Sequence, residues 1–360
     1  MLNAIESRPD RRWMRDVTAP RNLVLQALLH PFAEGAIAPA HDTLFLNARA
    51  ELALPAEATG WTCVQGFKPA ADALAAAGLR SLPRLADGDT RHACVLLPLP
   101  RQRDLARAQM VEGLRRLAPG GVLVVAQAND AGAKSATADL ARLVSPIAVE
   151  TKYHCRVAWT SPDARRIAPA LEDEWRQAAA PRAVPGTPWL ARPGVFARDR
   201  IDAGSALLAE HLPDDIAGAV ADLGAGWGFL SATLLQRCPG IGALDLFEAD
   251  AEALALAQAN LATLAHPAAR RFHWHDVRAG LPSGFDAVVS NPPFHVDGAD
   301  DPQLGRDFIA AAAAALRPGG RFWLVANRHL PYEAALAASF GAVREVAQRD
   351  GFKVIEARAR

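Results

Sequence analysis

The segment Asn291-Pro292-Pro293-Phe294 holds the residues best suited to chemistry. Two consecutive prolines remove two backbone donors and stiffen the chain. What remains is a pair of fixed acceptors, the Asn291 side-chain oxygen and the Pro292 carbonyl. A planar amine conjugated to a heterocycle is a poor nucleophile. Two acceptors holding its hydrogens draw it toward tetrahedral geometry and aim its lone pair at a methyl donor. Phe294 adds an aromatic face on which an extruded base can stack. The plainer alternative is a proline turn closing a strand.

A second segment, Asp222-Leu223-Gly224-Ala225-Gly226-Trp227-Gly228, reads as a ligand loop. Gly224 and Gly226 let the backbone turn tightly and approach a ligand with no Cβ in the way. The dinucleotide fingerprint requires G-x-G-x-x-G. Here the third glycine, Gly228, comes one residue early and Phe229 takes its place, which argues against a nicotinamide dinucleotide. Asp222 would repel a pyrophosphate but suits an ammonium group or a water network around a zwitterion. Glu248 lies 26 positions after Asp222. It can accept the two hydroxyls of a ribose, or it can serve the dipole of the helix that follows. Asp250 can fill that second role, which leaves Glu248 free. Asp276 is an acceptor for an adenine amine or a turn cap.

These residues need a scaffold, and the pattern supplies one. Strands are expected at Ala219–Leu223, Ala243–Phe247, Arg271–Trp274, Asp286–Ser290 and Arg321–Ala326. Helices are expected at Phe229–Arg237, Ala251–Leu264 and Asp307–Leu316, the last stopped by Pro318-Gly319-Gly320. Ala342–Gln348 and Phe352–Ala357 read as a terminal hairpin. Alternating strands and helices give an α/β fold, a parallel sheet covered on both faces. Ligands of such sheets bind at the carboxyl ends of the strands, where Asp222, Glu248, Asp276 and Asn291 all fall.

The first half repeats the second. Phe67–Leu74 aligns with Phe247–Leu254, Cys94–Pro100 with Val288–Phe294, and Leu117–Gly121 with Leu316–Gly320, at offsets of 180, 194 and 199. A steady rise in offset is what loop insertions in one copy produce. In these alignments Lys68 stands opposite Glu248, Leu97–Pro100 replaces Asn291–Phe294, and Leu44–Arg49 lacks the glycines. A proline-rich linker, Ala178–Pro193, divides the chain near residue 185, giving domains 1–185 and 186–360.

The net charge is zero but uneven. Residues 1–200 carry 26 Lys and Arg against 20 Asp and Glu, and residues 201–360 carry 13 against 19. A basic first half suits a polyanion, or reflects an Arg-rich composition. Cys63, Cys94, Cys155 and Cys238 lack metal or disulfide spacing and point to a reducing, cytoplasmic setting with no metal. No apolar run is long enough for a membrane span. The first twenty residues have no signal-peptide core.

With these motifs placed, the second half resembles the class I S-adenosylmethionine methyltransferases that carry an NPPF motif. Pro193–Asp199, Asp202–Ser205, Asn291–His295, Ala326–Tyr332 and Phe352–Val354 together resemble the bacterial ribosomal RNA guanine-N2 methyltransferases. His295–Gly298 leans toward the small-subunit enzymes and Ala326–Leu330 toward their large-subunit relatives. The resemblance implies two tandem Rossmann-like domains, the first degenerate and kept as an RNA-docking element or scaffold. It implies S-adenosylmethionine held by Asp222, Gly224, Gly226, Gly228, Glu248, Asp276 and Asn291. It further implies a catalytic Asn291-Pro292-Pro293-Phe294 acting on a guanine of ribosomal RNA, free or in a ribosomal subunit, by a monomer. The same acceptor pair would serve adenine N6 or a glutamine amide. A non-catalytic RNA-binding module is a further alternative.

Overall fold

The structure, a computed structural model, describes residues 22–360 apart from 51–53, 55, 86–87, 89, 161–165, 294, 297–298 and 301. It divides into two compact units, Met1–Ala180 and Pro181–Arg360. The antiparallel pair of Arg182–Ala183 with Leu190–Ala191 falls in the second unit.

The first unit contains β1 (Thr43–Leu46), β2 (Thr62–Val64), β3 (Ser81–Leu82), β4 (His92–Pro98), β5 (Leu117–Ala128), β6 (Ile147–Lys152) and β7 (Cys155–Thr160). The second contains β8 (Gly218–Leu223), β9 (Ile241–Glu248), β10 (Ala269–Trp274), β11 (Phe285–Ser290), β12 (Leu316–Asn327), β13 (Ala342–Arg349) and β14 (Phe352–Arg358). The sheets run β3-β2-β1-β4-β5-β7-β6 and β10-β9-β8-β11-β12-β14-β13, one strand order used twice. In each, the first five strands are parallel and the last two form an antiparallel hairpin.

Alternation along the central strands divides each core in two. In the second unit Val220, Leu244, Leu246, Val289 and Trp323 belong to one buried cluster. Their chain neighbours Ala221, Phe247, Val288, Phe322 and Leu324 belong to another. Period-two side chains covered on both faces explain why these strands read as continuous apolar runs. Each fully buried Leu or Val contributes about 1.5–3 kcal/mol.

The first unit contains α1 (Leu23–Ala33), α2 (Lys68–Ala76), α3 (Arg103–Arg115), α4 (Ala133–Leu143) and α5 (Pro169–Ala178); the helices that matter for the site are α6 (Ala203–His211), α7 (Phe229–Arg237), α8 (Ala251–Ala262), α9 (Pro302–Ala315) and α10 (Glu333–Ser339). Asp250 caps α8, accepting from the backbone N–H groups of Glu252 at 2.8 Å and Ala253 at 3.2 Å. Asp202 caps α6 by accepting from Ser205 N at 2.9 Å.

Two expected alignments change register. Leu46 pairs with Val64 as Leu223 pairs with Phe247, so the counterpart of Glu248 is Gln65 and not Lys68, which opens a helix. A slip of three residues is nearly one helical turn, so it keeps an Ala/Leu helix face in phase and hides the error. Likewise Leu97 pairs with Val125 as Ser290 pairs with Leu324. Pro98-Leu99-Pro100 therefore corresponds to Asn291-Pro292-Pro293, one residue away from the expected match. The long helix also starts earlier than expected, at Pro302, and passes straight into β12 at Leu316. There the register with β11 shifts between Phe285 and Ala287.

Candidate active site

The carboxyl ends of β8, β9, β10 and β11 bring Asp222, Glu248, Asp276 and Asn291 to one end of the second sheet. After β8 the loop turns at Gly224, Gly226 and Gly228, with φ of +71°, +55° and +90°. These left-handed conformations favour glycine. The three positions differ in surroundings. A Cβ on Gly226 would meet nothing within 4 Å. A Cβ on Gly228 would lie 2.8 Å from a Leu261 methyl and 3.2 Å from the Ala257 methyl. Gly228 is also the N-cap of α7, so it lets α7 and α8 pack closely. A Cβ on Gly224 would lie 3.4 Å from the Phe308 ring and 3.8 Å from Pro293 Cδ. The glycine loop and the Asn-Pro-Pro segment thus converge.

Asp222, the penultimate residue of β8, is fully buried. Its Oδ2 accepts from the Ser231 hydroxyl at 2.7 Å, while Oδ1 has no partner among the described residues. Burial pushes its carboxyl up to about 6, against the opposing effect of Ser231. A buried acceptor without a donor is costly, and an ammonium group or a water bound to one would relieve it.

Glu248 ends β9. Its Oε2 accepts from Gly226 N at 2.7 Å and its Oε1 from Asp250 N at 2.8 Å. Burial raises its carboxyl to about 7, although those backbone donors favour the charged form. Each oxygen has one N–H bond and keeps capacity for a hydroxyl. His275 N donates to the Glu248 carbonyl at 2.9 Å, which brings Asp276 next to it. Asp276 caps the 3-10 turn Val277–Ala279 by accepting from Arg278 N at 3.0 Å, and pairs with the Arg278 guanidinium at 2.8 Å. Burial opposes ionisation, but the Arg278 bonds prevail and hold this carboxyl below its ordinary value.

Asn291 follows β11, whose last residue Ser290 donates to Leu223 O at 2.8 Å and so ties β11 to β8. The Asn291 Nδ2 donates to Asp202 Oδ2 at 2.8 Å and to Ser205 Oγ at 2.7 Å. Both amide hydrogens are thereby consumed, which fixes the amide orientation and leaves Oδ1 as a pure acceptor. Pro292 is buried and Pro293 exposed. Phe294 lies outside the described residues. Among the described residues, no group of three or more His, Cys, Asp or Glu is arranged to hold a metal.

The chain is 33% identical to the ribosomal RNA small subunit methyltransferase C of Pseudomonas paraeruginosa, over 94% of this chain and 99% of that protein. The chain belongs to the ribosomal RNA small subunit methyltransferase C family. A second member, from Shewanella loihica, is 33% identical over 72% of this chain and 75% of its own length. The methyltransferase small domain family matches residues 187–356, the span that holds the site. Among solved structures, the T. thermophilus 16S rRNA N2 methyltransferase in complex with AdoMet and guanosine superposes with a TM-score of 0.74. It is 26% identical and covers 97% of this chain and 93% of its own.

In this member of the methyltransferase C family, two residues complete the site that motif reading did not assign a role. Asp202 and Ser205 hold Asn291 across 89 and 86 positions of sequence. Their signal was present as the Asp-x-x-Ser start of an apolar helix, which reads first as a cap. Here one oxygen does both tasks, since Asp202 Oδ2 accepts from Ser205 N and from Asn291 Nδ2. In the first unit, the position of Gly224 is taken by Asn47, also left-handed at φ 49°. Its side chain donates to Pro98 O and to Gln109.

Proposed function

We propose that this chain methylates the exocyclic N2 of a guanine in small-subunit ribosomal RNA. The observation that carries the reading is the locked amide of Asn291. With both N–H groups bound to Asp202 and Ser205, its oxygen can only accept, and a guanine N2 amine can only donate. The Pro292 carbonyl offers the second acceptor. Together they orient the amine and localise its lone pair, and catalysis is mostly positioning.

The residues suit S-adenosylmethionine, which supplies the sulfonium methyl when bound. Glu248 would hold the ribose hydroxyls and Asp276 the adenine amine. The unpartnered Asp222 Oδ1 would accept from the methionyl ammonium or a water it carries. Gly224 and Gly226 present bare backbone to the cofactor, and Phe294 would stack on the base. We assign catalysis to 186–360, and to 1–185 a degenerate methyltransferase-like unit that docks RNA or supports the fold. Every proposed site residue comes from one chain, so a monomer suffices. An enzyme acting on bacterial ribosomal RNA would work in the cytoplasm.

The test is nucleoside mass spectrometry of small-subunit rRNA from a strain lacking the gene. N2-methylguanosine should be lost, and should return with the wild-type gene but not with Asn291→Ala. An unchanged N2-methylguanosine content, or a lost methyl on adenine N6, would overturn the reading.

A further inference from the structure

Pro181–Arg360 contains sixteen arginines. Among the described residues, all but two hold a partner. Arg192, Arg271, Arg317, Arg321, Arg344 and Arg349, for example, pair with carboxylates. Arg237 and Arg270 cap backbone carbonyls. The two exceptions are Arg200 and Arg328, both exposed.

Both lie on segments that border Asn291. Arg200 stands two residues before Asp202, which holds the Asn291 amide at 2.8 Å. Arg328 follows β12, the neighbour of β11. Ser290 is level with Leu324, so Arg328 lies three residues beyond the level of Asn291, about 10 Å further along the strands. Its backbone N–H donates to Gly351 O at 2.7 Å. The next residue, Phe352, packs so closely on α6 that a Cβ on Gly204 would lie 3.0 Å from its ring. Gly204 sits between Asp202 and Ser205. The loop that bears Arg328 is fixed from below by buried Lys353, whose Nζ donates to Leu330 O at 3.0 Å and pairs with Glu333. Most arginines of this unit are satisfied by carboxylates or backbone carbonyls, so an exposed guanidinium with no partner among the described residues, on a segment held in place, is available to a ligand.

We propose that Arg200 and Arg328 form a clamp for the phosphates that flank the target nucleotide. This rests on the RNA reading above. Guanidinium groups bind phosphate oxygens in a fork, and phosphate contacts set register while base contacts specify. The offset between Arg328 and Asn291 is comparable to the span of one nucleotide, so a base amine at Asn291 leaves its backbone at the rim. Phe196, on the same loop as Arg200, is 62% exposed and offers a face to a neighbouring base. A polynucleotide matches both features, whereas a free anion would use only the cations.

The test measures methylation of unmodified 16S rRNA and of unmodified small subunits by the full chain, across a salt series. Arg200→Ala and Arg328→Ala should each raise KM for RNA about tenfold and lower the slope of log KM against log salt by about 0.7–0.9. The double variant should lose about twice that slope. Turnover at saturating RNA and affinity for S-adenosylmethionine should stay within about twofold, and Arg→Lys variants should keep the slope. Unchanged slopes in both single variants, or losses that appear in cofactor affinity, would overturn the clamp alone. A wild-type protein that methylates neither RNA would instead overturn the RNA reading.

Discussion

Gln65 and Glu248 stand at the same station in their two sheets and differ at one terminal atom, an amide NH2 in place of a carboxylate oxygen. Each uses Oε1 to accept from the backbone N–H two residues on, at 2.8 Å from Phe67 N and from Asp250 N. With the second atom they part. Glu248 Oε2 accepts from Gly226 N, whereas Gln65 Nε2 donates to Ala48 O at 2.8 Å. The second unit thus presents a carboxylate to its loop, and the first uses an amide to fasten its own. A calorimetric titration of the intact protein should therefore give one S-adenosylmethionine per chain, and two sites would refute this.

Glu248→Gln replaces an acceptor of hydroxyls with a half-donor. Affinity for S-adenosylmethionine should fall by about 1.5–3 kcal/mol, the value of hydrogen bonds to a charged group. The raised carboxyl gives a pH dependence with a definite sign. Burial holds more protons on Glu248 in the folded state than in the unfolded one between about 4.5 and 7, so the free protein loses stability as pH rises through that window. Cofactor binding needs the ionised form and should strengthen over the same range. The thermal shift on adding cofactor should grow from pH 5.5 to 8, and grow less in Glu248→Gln, where Asp222 still titrates in this range.

Asn291→Ala should lower single-turnover methyl transfer by about two to four powers of ten while leaving cofactor affinity nearly intact. Asn291→Asp keeps an acceptor but sets a carboxylate against Asp202, so it should fail to rescue. Near-normal turnover in folded Asn291→Ala would reduce the segment to a structural turn.

Asp202→Ala tests positioning. It frees one amide hydrogen of Asn291 and removes the α6 cap, which costs about 1 kcal/mol of stability. The catalytic loss should appear in kcat, about tenfold to a hundredfold, with KM for RNA little changed. Ser205→Ala keeps the cap and should show a smaller loss of kcat at unchanged melting temperature. A loss confined to KM would contradict this role.

Gly226→Ala and Gly228→Ala should separate binding from packing. At Gly228 a Cβ meets Leu261 and Ala257 in a left-handed backbone, so stability should fall by about 2–4 kcal/mol. At Gly226 the Cβ enters open space, so stability should fall by only about 1 kcal/mol, and cofactor affinity should fall more. Equal effects on both quantities at both positions would show that the loop acts as one unit.

The sheet, the order of its elements and the motif positions were legible in the sequence because strand and helix periods differ and because Asn-Pro-Pro and the glycines are chemically distinctive. What was not legible is long-range or phase-dependent. Asp202 reads locally as a helix cap, and only the fold brings it to Asn291. The correspondence of Gln65 to Glu248 was masked by a helix that looks the same after a slip of three. Gly228 sits in a ligand motif, yet its surroundings are those of a helix crossing. Asp276 proves to be a turn cap and an ion-pair partner, which does not distinguish it from an adenine acceptor.

Asp202 ties a local unfolding event to activity. Its one oxygen closes the first turn of α6 and also holds the amide of Asn291. When that turn frays, the oxygen loses its position and the amide is free to rotate. Warming should therefore inactivate the enzyme reversibly several degrees before the sheet melts. Amide exchange at Ser205 should report the same transition as the rate.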